Sequence, residues 1–259
     1  MLPVITILGR QYPTYAILGL IGLFLATFVA SRRAKRYGFS IHDAVFMAAF
    51  AGIGLVLGGM LLFALTQVSN MWRDRAFLFV DFFGFLSRHL GGMVFYGGLF
   101  GALLGLLYYA RFMKMPLNRV MAMAVPVFPL AHSIMRLGCF AAGCCHGIPY
   151  PPPLGIAFSN AIGAPNNIPL LPVQLYEAFF NLILFLGLWH YTKKERNWVN
   201  ILIVYGISYA FARFWLEFLR GDLGRGFVFL LSTSQFISLL VLIACIGLWI
   251  RQTVKNRVY

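Results

Sequence analysis

Seven runs of apolar residues, each near the length needed to cross a bilayer, organise the chain; they fall at about 14–30, 43–66, 92–110, 120–138, 174–191, 199–218 and 232–250. A run of about 20 residues spans the hydrocarbon core as a helix, which satisfies its backbone hydrogen bonds within itself. The pattern predicts an all-α polytopic membrane protein with seven transmembrane helices. Between the runs, residues 67–91 are polar and aromatic by turns and are expected at the outer surface, with room for an interfacial helix. Residues 147–173 carry Pro149, Pro151, Pro152, Pro153, Pro165, Pro169 and Pro172 and are expected to be irregular and on the same outer face. No charged region, short apolar region and small-residue cleavage site precede the first run, so no removed signal peptide is expected. With no internal repeat and no loop long enough for a soluble domain, residues 1–259 read as one integral membrane domain.

Composition agrees. The 259 residues are 61% hydrophobic and 11% charged, against about 25% charged in soluble domains. The net charge of +14 would suit nucleic acid, but its distribution follows topology. Arg32, Arg33, Lys35 and Arg36, then Arg111, Lys114 and Arg119, then Lys193, Lys194 and Arg196, then Arg251, Lys255 and Arg257 all fall on one side of the seven runs. The other side holds Arg10, Arg73, Arg75, Arg88, Arg220 and Arg225, partly offset by Asp74, Asp81 and Asp222. The positive-inside rule then sets the N-terminus outside and the C-terminus inside, and no nucleic-acid partner is expected.

The chemistry concentrates where charges enter apolar runs. Arg136-Leu-Gly-Cys139-Phe-Ala-Ala-Gly-Cys144-Cys145-His146-Gly147 closes the fourth run. Arginine keeps its proton at any physiological pH and is costly near lipid, so Arg136 needs an anionic partner. A lipid phosphate is the commonest mobile anion there. On the sixth run Tyr209, Arg213 and Glu217 recur every four residues on one helical face, with Arg220 continuing the stripe. Glu177 opens the fifth run beside Gln174 and Tyr176. Arg213 with Glu217 reads either as a pair tying helices together or as part of a site shared with Arg136. Arg220 is expected to snorkel to the interface, and Glu177 to serve equally well as a first-turn residue at a helix N-terminus.

The cysteines allow three readings. Zinc is disfavoured because adjacent cysteines strain a shared tetrahedral site and no second pair completes it, so no metal is expected. Reactive thiols, with Cys144 and Cys145 beside His146 and an arginine, and plain packing of a glycine-rich bend stand level. Gly91-Gly92 and Gly97-Gly98 around Tyr96 would let a ligand approach the backbone, or would pack against Gly52, Gly54, Gly58 and Gly59. Tyr15 is an interfacial aromatic unless it lines the site, and His132 reads as a hydrogen-bonded helix residue. No Walker loop, dinucleotide fingerprint or haem-attachment pair appears, so no cofactor is expected.

The pattern resembles the prolipoprotein diacylglyceryl transferase family of bacterial inner membranes. The resemblance runs through Tyr15, Gly58-Gly59, Gly91-Gly92-Met93, Gly97-Gly98, Arg136-Leu-Gly, Gly147, Gln174-Leu-Tyr-Glu177, Tyr209, Arg213, Glu217, Phe218, Arg220 and Ser234-Gln235. It implies transfer of a diacylglyceryl group from phosphatidylglycerol, or another anionic phospholipid, to the cysteine thiol of a prelipoprotein or related acceptor, releasing glycerol phosphate. Arg136 and Arg213 would grip the phosphate, and Tyr209 and Glu217 would orient Arg213. Tyr15, Gly91, Gly92, Tyr96, Gly97, Gly98, Cys139 and Gly147 would line the lipid site. The chain departs from the family pattern at Met135, Cys139, Ala142 and Cys144, at Met60 and Leu171, and at Tyr96, where the family has a histidine. His146 or a thiolate such as Cys144 would stand in for that base. A membrane thiol oxidoreductase or thiol carrier, and a non-catalytic lipid-binding or transport protein, are the alternatives on the same scaffold. The site is expected towards the outer leaflet of the plasma membrane.

Overall fold

The apolar runs are helices in the computed structural model, which describes residues 1–222, 226–228 and 230–258. Arg225 and the side chains of Ile7, Phe227, Lys255 and Arg257 lie outside that description, as do those of the residues interleaved with the last two. A hairpin of β1 (Val4–Ile7) and β2 (Arg10–Pro13) leads into α1 (Thr14–Ala34). Then come α2 (Ile41–Thr66), the short helices α3 (Val68–Arg73) and α4 (Phe77–Val80), α5 (Phe82–Leu90) and α6 (Phe95–Phe112). Next are α7 (Leu117–Ala124), α8 (Val127–Ala142), the paired strands β3 (Ile156–Ala157) and β4 (Pro169–Leu170), and α9 (Val173–Tyr191). The chain ends with α10 (Trp198–Leu216), a 3-10 turn at Glu217–Leu219, the pair β5 (Phe227–Val228) and β6 (Leu231–Ser232), and α11 (Thr233–Val258).

The expected all-α polytopic class is observed. Among the described residues six stretches are long and apolar enough to cross a bilayer: Thr14–Tyr37, Ile41–Thr66, Leu117–Ala142, Val173–Tyr191, Trp198–Leu219 and Thr233–Val254. The run expected at 92–110 joins them as a seventh span when α5 and α6, bent by 92° at their junction, are taken together. The fourth run is two helices, because Pro126 between α7 and α8 has no N–H for the ladder and disfavours helical backbone at Val125. The segment 67–91 holds α3, α4 and α5, so its helical content exceeds the one interfacial helix allowed for.

The chain forms two compact units. Residues 34–120 make the smaller. Its α2 starts on a capping box, in which Asp43 N donates to Ser40 Oγ (3.1 Å) and Ser40 N to Asp43 Oδ2 (2.8 Å). Antiparallel α2 and α6 meet backbone to backbone at glycines. A Cβ on Gly101 would lie 2.0 Å from the Gly54 carbonyl oxygen, and one on Gly97 2.4 Å from that of Gly58. Small residues at a helix crossing allow this approach, which supplies packing where lipid removes the hydrophobic drive.

Residues 1–33 and 121–259 make the larger unit. Here α1 crosses α8 closely at two points, Gly22 against Ala131 and Gly138 against Tyr15. Ser133 Oγ donates to the Ala178 carbonyl (2.7 Å), tying α8 to α9. Ala26, Ala30 and Val127 form the core between α1 and α8. Phe158, Ala164 and Leu170 form a second core with Phe140 beneath the proline-rich loop. The N-terminus is pinned to the end of α8, since Leu2 N donates to the Ala141 carbonyl (3.1 Å).

Candidate active site

The larger unit brings four buried charged side chains together in one place. On α8, His132, Arg136 and Cys139 lie at i, i+4 and i+7, on one face. Tyr209 and Arg213 lie one turn apart on α10, and Glu217 follows at the start of the 3-10 turn. Glu177 projects from α9. Arg136, Glu177, Arg213 and Glu217 are all buried, which for charges demands partners.

Glu177 is the hub. Its Oε1 lies 3.0 Å from Arg136 Nη2 and accepts from the Tyr209 hydroxyl at 3.5 Å. His132 Nε2 stands 3.5 Å from the same oxygen and accepts from Arg136 Nε at 3.1 Å. Glu177 Oε2 faces Arg213 Nη1 at 4.0 Å. Arg213 Nη2 is held by Glu217 Oε2 at 2.7 Å and donates to Ser234 Oγ at 3.2 Å. Among the described residues Arg213 Nη1 is a buried donor without a hydrogen-bond acceptor. The arrangement sets two guanidiniums beside one carboxylate, with one N–H left to receive an anion.

The expectations for single residues fare differently. Arg136, Arg213, Tyr209 and Glu217 converge. Glu217 touches Arg213 directly, whereas Tyr209 acts on the shared carboxylate. Glu177 is not spent on the N-terminus of α9, whose first turn holds no acidic residue; it lies a turn further in and bridges Arg136 towards Arg213. Arg220 does not snorkel. Its guanidinium is buried and forks onto Asp222, with Nε to Oδ1 at 2.9 Å and Nη2 to Oδ2, because a bidentate carboxylate replaces the water it would otherwise seek. His132 belongs to the site, and its signal in the sequence was its place one turn before Arg136. Ser234 and Gln235 are at the start of α11, where Gln235 Oε1 accepts from Ser232 N (3.0 Å) and Gln235 N donates to Ser232 Oγ (3.2 Å).

The bend after α8 is clamped. Gly143 ends α8 in the left-handed region at φ 70°, and Cys145 follows at φ 56°, where a residue with a side chain is strained. Gln174 Nε2 donates to the Cys144 carbonyl (2.6 Å). Gly221 N donates to the His146 carbonyl (3.0 Å), Gly147 N to the Leu171 carbonyl (2.9 Å) and Ile148 N to the Leu219 carbonyl (2.9 Å). At Gly147 a Cβ would lie 2.5 Å from the Leu171 carbonyl oxygen, so this glycine serves close backbone approach. Buried His146 holds Nδ1 2.9 Å from the Gly147 carbonyl oxygen; that oxygen only accepts, so the proton sits on Nδ1 and Nε2 is the basic nitrogen.

Cys139, Cys144 and Cys145 carry free thiols whose Sγ atoms lie within 4.8 Å of one another. The thiols meet at the bend where Cys145 takes its left-handed backbone. Hydrogen bonds from the Cys139 and Cys144 thiols hold the Cys145 thiol well below its ordinary pKa, and the Arg136 and Arg220 guanidiniums add to the effect. Hydrogen bonding to Cys139 first, then to Cys145, with burial added, pushes the Cys144 thiol up.

Tyr15 packs its backbone on Gly138 and leaves its ring half-exposed. Tyr96 and the glycines of its run belong to the smaller unit. There Tyr96 is buried against Phe95 and Phe100, Gly97 meets Gly58, Gly98 meets Leu55, and Gly92 meets the Phe63 ring. Of the two readings open for these glycines, helix packing is the one these contacts describe.

The fold and the site together define a multi-pass membrane protein built around a buried arginine–carboxylate cluster. Residues 3–251 match the family model described as prolipoprotein diacylglyceryl transferase, and the chain belongs to that family. It is similar to a phosphatidylglycerol–prolipoprotein diacylglyceryl transferase of Clostridium tetani, 34% identical over 93% of either chain. It is also similar to a second such enzyme of Clostridium perfringens, 33% identical over 97% of this chain and 95% of the relative. A Geobacter sulfurreducens enzyme of the same name is 31% identical over 84% and 82%. The chain is a membrane transferase.

Proposed function

We propose that the chain transfers the diacylglyceryl group of phosphatidylglycerol to the cysteine thiol of a prelipoprotein, the two substrates in its relatives' names. The observation that carries the reading is the pairing of Arg136 and Arg213 across Glu177, in which Arg213 Nη1 reaches the carboxylate at 4.0 Å and makes no hydrogen bond among the described residues. A lipid phosphate entering beside Glu177 gives that N–H its acceptor.

In the reaction the acceptor sulfur forms a bond to the glyceryl carbon next to the phosphate ester. The carbon–oxygen bond breaks and its electron pair leaves with glycerol phosphate. The leaving group gains negative charge as this happens, so guanidiniums already fixed by Glu177 and Glu217 favour the transition state over the bound lipid. The thiol proton passes to His146 Nε2, the ring nitrogen left basic by the contact of Nδ1 with the Gly147 carbonyl. Tyr15, Cys139 and Gly147 border the lipid. The site opens towards the outer leaflet of the bacterial plasma membrane, with the N-terminus outside; the support is the basic clustering between alternate spans.

The test is direct. Purified protein in phosphatidylglycerol micelles is incubated with a peptide bearing the acceptor cysteine, and the peptide mass is read. A gain of one diacylglyceryl group, reduced about 10²–10³-fold in rate by Arg136→Ala, is expected. Folded protein that adds nothing to the peptide would overturn the reading.

A further inference from the structure

The transfer reaction takes no chemistry from the three thiols of Cys139, Cys144 and Cys145, which cluster in the larger unit, although Cys139 also borders the lipid. We propose that they form a three-thiolate site for a thiophilic divalent cation, with Zn²⁺ as the natural occupant, whose fourth position is open to the acceptor thiol. The second half of this rests on the transferase reading; the first does not.

Geometry is the first argument. Four-coordinate zinc with Zn–S bonds of about 2.3 Å places its sulfurs about 3.8 Å apart. The three Sγ atoms, all within 4.8 Å of one another, need only small rotamer adjustments to surround one ion. Preparation is the second. Cys139 stands in the last turn of α8, Cys144 N closes that turn on the Cys139 carbonyl (3.1 Å), and the strained backbone at Cys145 completes the triangle. Strain of this kind persists where surrounding structure holds it. The bonds from Gln174 to the Cys144 carbonyl and from Gly221 to the His146 carbonyl do so. Packing alone asks for no left-handed cysteine.

Ligand number is the third. Structural zinc sites close with four protein ligands, whereas catalytic ones keep a position open. Among the described residues the group is three cysteines, with no fourth histidine, cysteine or carboxylate in it. A thiol taking the fourth place on the ion is deprotonated outright. The reaction balances: the thiol proton is released to water as the sulfur takes its place on the ion, the metal-bound sulfur bonds to the glyceryl carbon, and glycerol phosphate departs with the electron pair. The cation is neither oxidised nor reduced. Arg136, three residues before Cys139, puts the phosphate grip and the thiol cluster on one turn of α8.

Co²⁺ is the probe, because its thiolate complexes absorb by sulfur-to-metal charge transfer. Metal-stripped, reduced protein in phosphatidylglycerol micelles is titrated with Co²⁺. One equivalent bound with a charge-transfer band is expected, with the band lost in Cys139→Ser and in Cys145→Ser. Saturation without that band, or an unchanged band in both variants, would overturn the site. Since either serine variant could unfold, Zn²⁺ protection of the three wild-type thiols from alkylation gives a second reading, and equal labelling with and without Zn²⁺ would also overturn it. Adding the acceptor peptide to the Co²⁺ form should then strengthen the band; a peptide with serine for cysteine should not. Chelation should lower transfer at least tenfold and Zn²⁺ restore it. Transfer indifferent to chelation would overturn the activating role. Absence of transfer in every metal state, with the Co²⁺ band intact, would instead overturn the transferase reading.

Discussion

Arg136 Nη2 lies 3.0 Å from Glu177 Oε1, and both side chains are buried. The same carboxylate faces Arg213 from its other oxygen. Two guanidiniums in a medium of low dielectric repel strongly unless an anion stands between them. Glu177 therefore supplies, in the resting protein, the anion that stands between the two arginines.

Replacing Glu177 by glutamine keeps the shape and removes the charge. Breaking a buried pair in this way costs about 3–5 kcal/mol, because the partner cations stay buried. Glu177→Gln is expected to melt well below the wild type in neutral-lipid micelles. It should also gain more stability than the wild type from phosphatidylglycerol, since an anionic head group compensates the missing carboxylate. Equal gains in the two proteins would argue that no head group reaches the arginines.

Arg213 makes two separate contacts, with Glu217 and Ser234, and presents a third N–H towards Glu177. Lysine keeps the charge but has no planar fork to serve three directions. Arg213→Lys is expected to fold and to lose about tenfold or more in kcat, with Arg213→Ala falling further. Steady-state transfer to the acceptor peptide measures both. A lysine variant at full rate would mean that charge alone suffices.

Much of this was legible from residue spacing. The apolar runs gave the spans, and the four-residue rhythm of Tyr209, Arg213 and Glu217 gave one wall of the site. Four things were hidden for physical reasons. Glu177 looked like a helix-start residue because its partners lie on other helices, far away in sequence. Arg220 looked like a snorkelling side chain because its partner, Asp222, sits two residues on, a spacing that no helix brings face to face. The three thiols converge at a bend where Cys145 takes a left-handed backbone, which composition does not announce. The bend between α5 and α6 was also hidden, since hydropathy counts apolar residues without recording a change of direction.

Tyr209 donates to Glu177 Oε1 over 3.5 Å, a long bond. A neutral hydrogen bond contributes about 0.5–1.5 kcal/mol, and a long one sits at the low end. Tyr209→Phe is expected to leave folding nearly unchanged and to lower kcat less than tenfold, with KM for the lipid little altered. A loss as deep as that of Arg136→Ala would place the hydroxyl on the reacting atoms instead.

Gly101 tests the smaller unit alone. A Cβ there would lie 2.0 Å from the Gly54 carbonyl oxygen and 3.0 Å from the Gly58 Cα, both backbone atoms that cannot rotate away. Adding one methyl group must therefore push α2 and α6 apart along the crossing. Overpacking typically costs about 1–3 kcal/mol, and loss of the close glycine contact comes on top. Gly52 lies on the same helix as Gly54, yet a Cβ there meets nothing within 4 Å. Gly52→Ala should be neutral or slightly stabilising, since alanine favours helix by up to about 1 kcal/mol over glycine. Thermal melts of the two variants in one detergent measure the difference directly. Gly101→Ala should fall below the wild type and Gly52→Ala should not; coincident melts would mean that the two helices do not cross at their glycines.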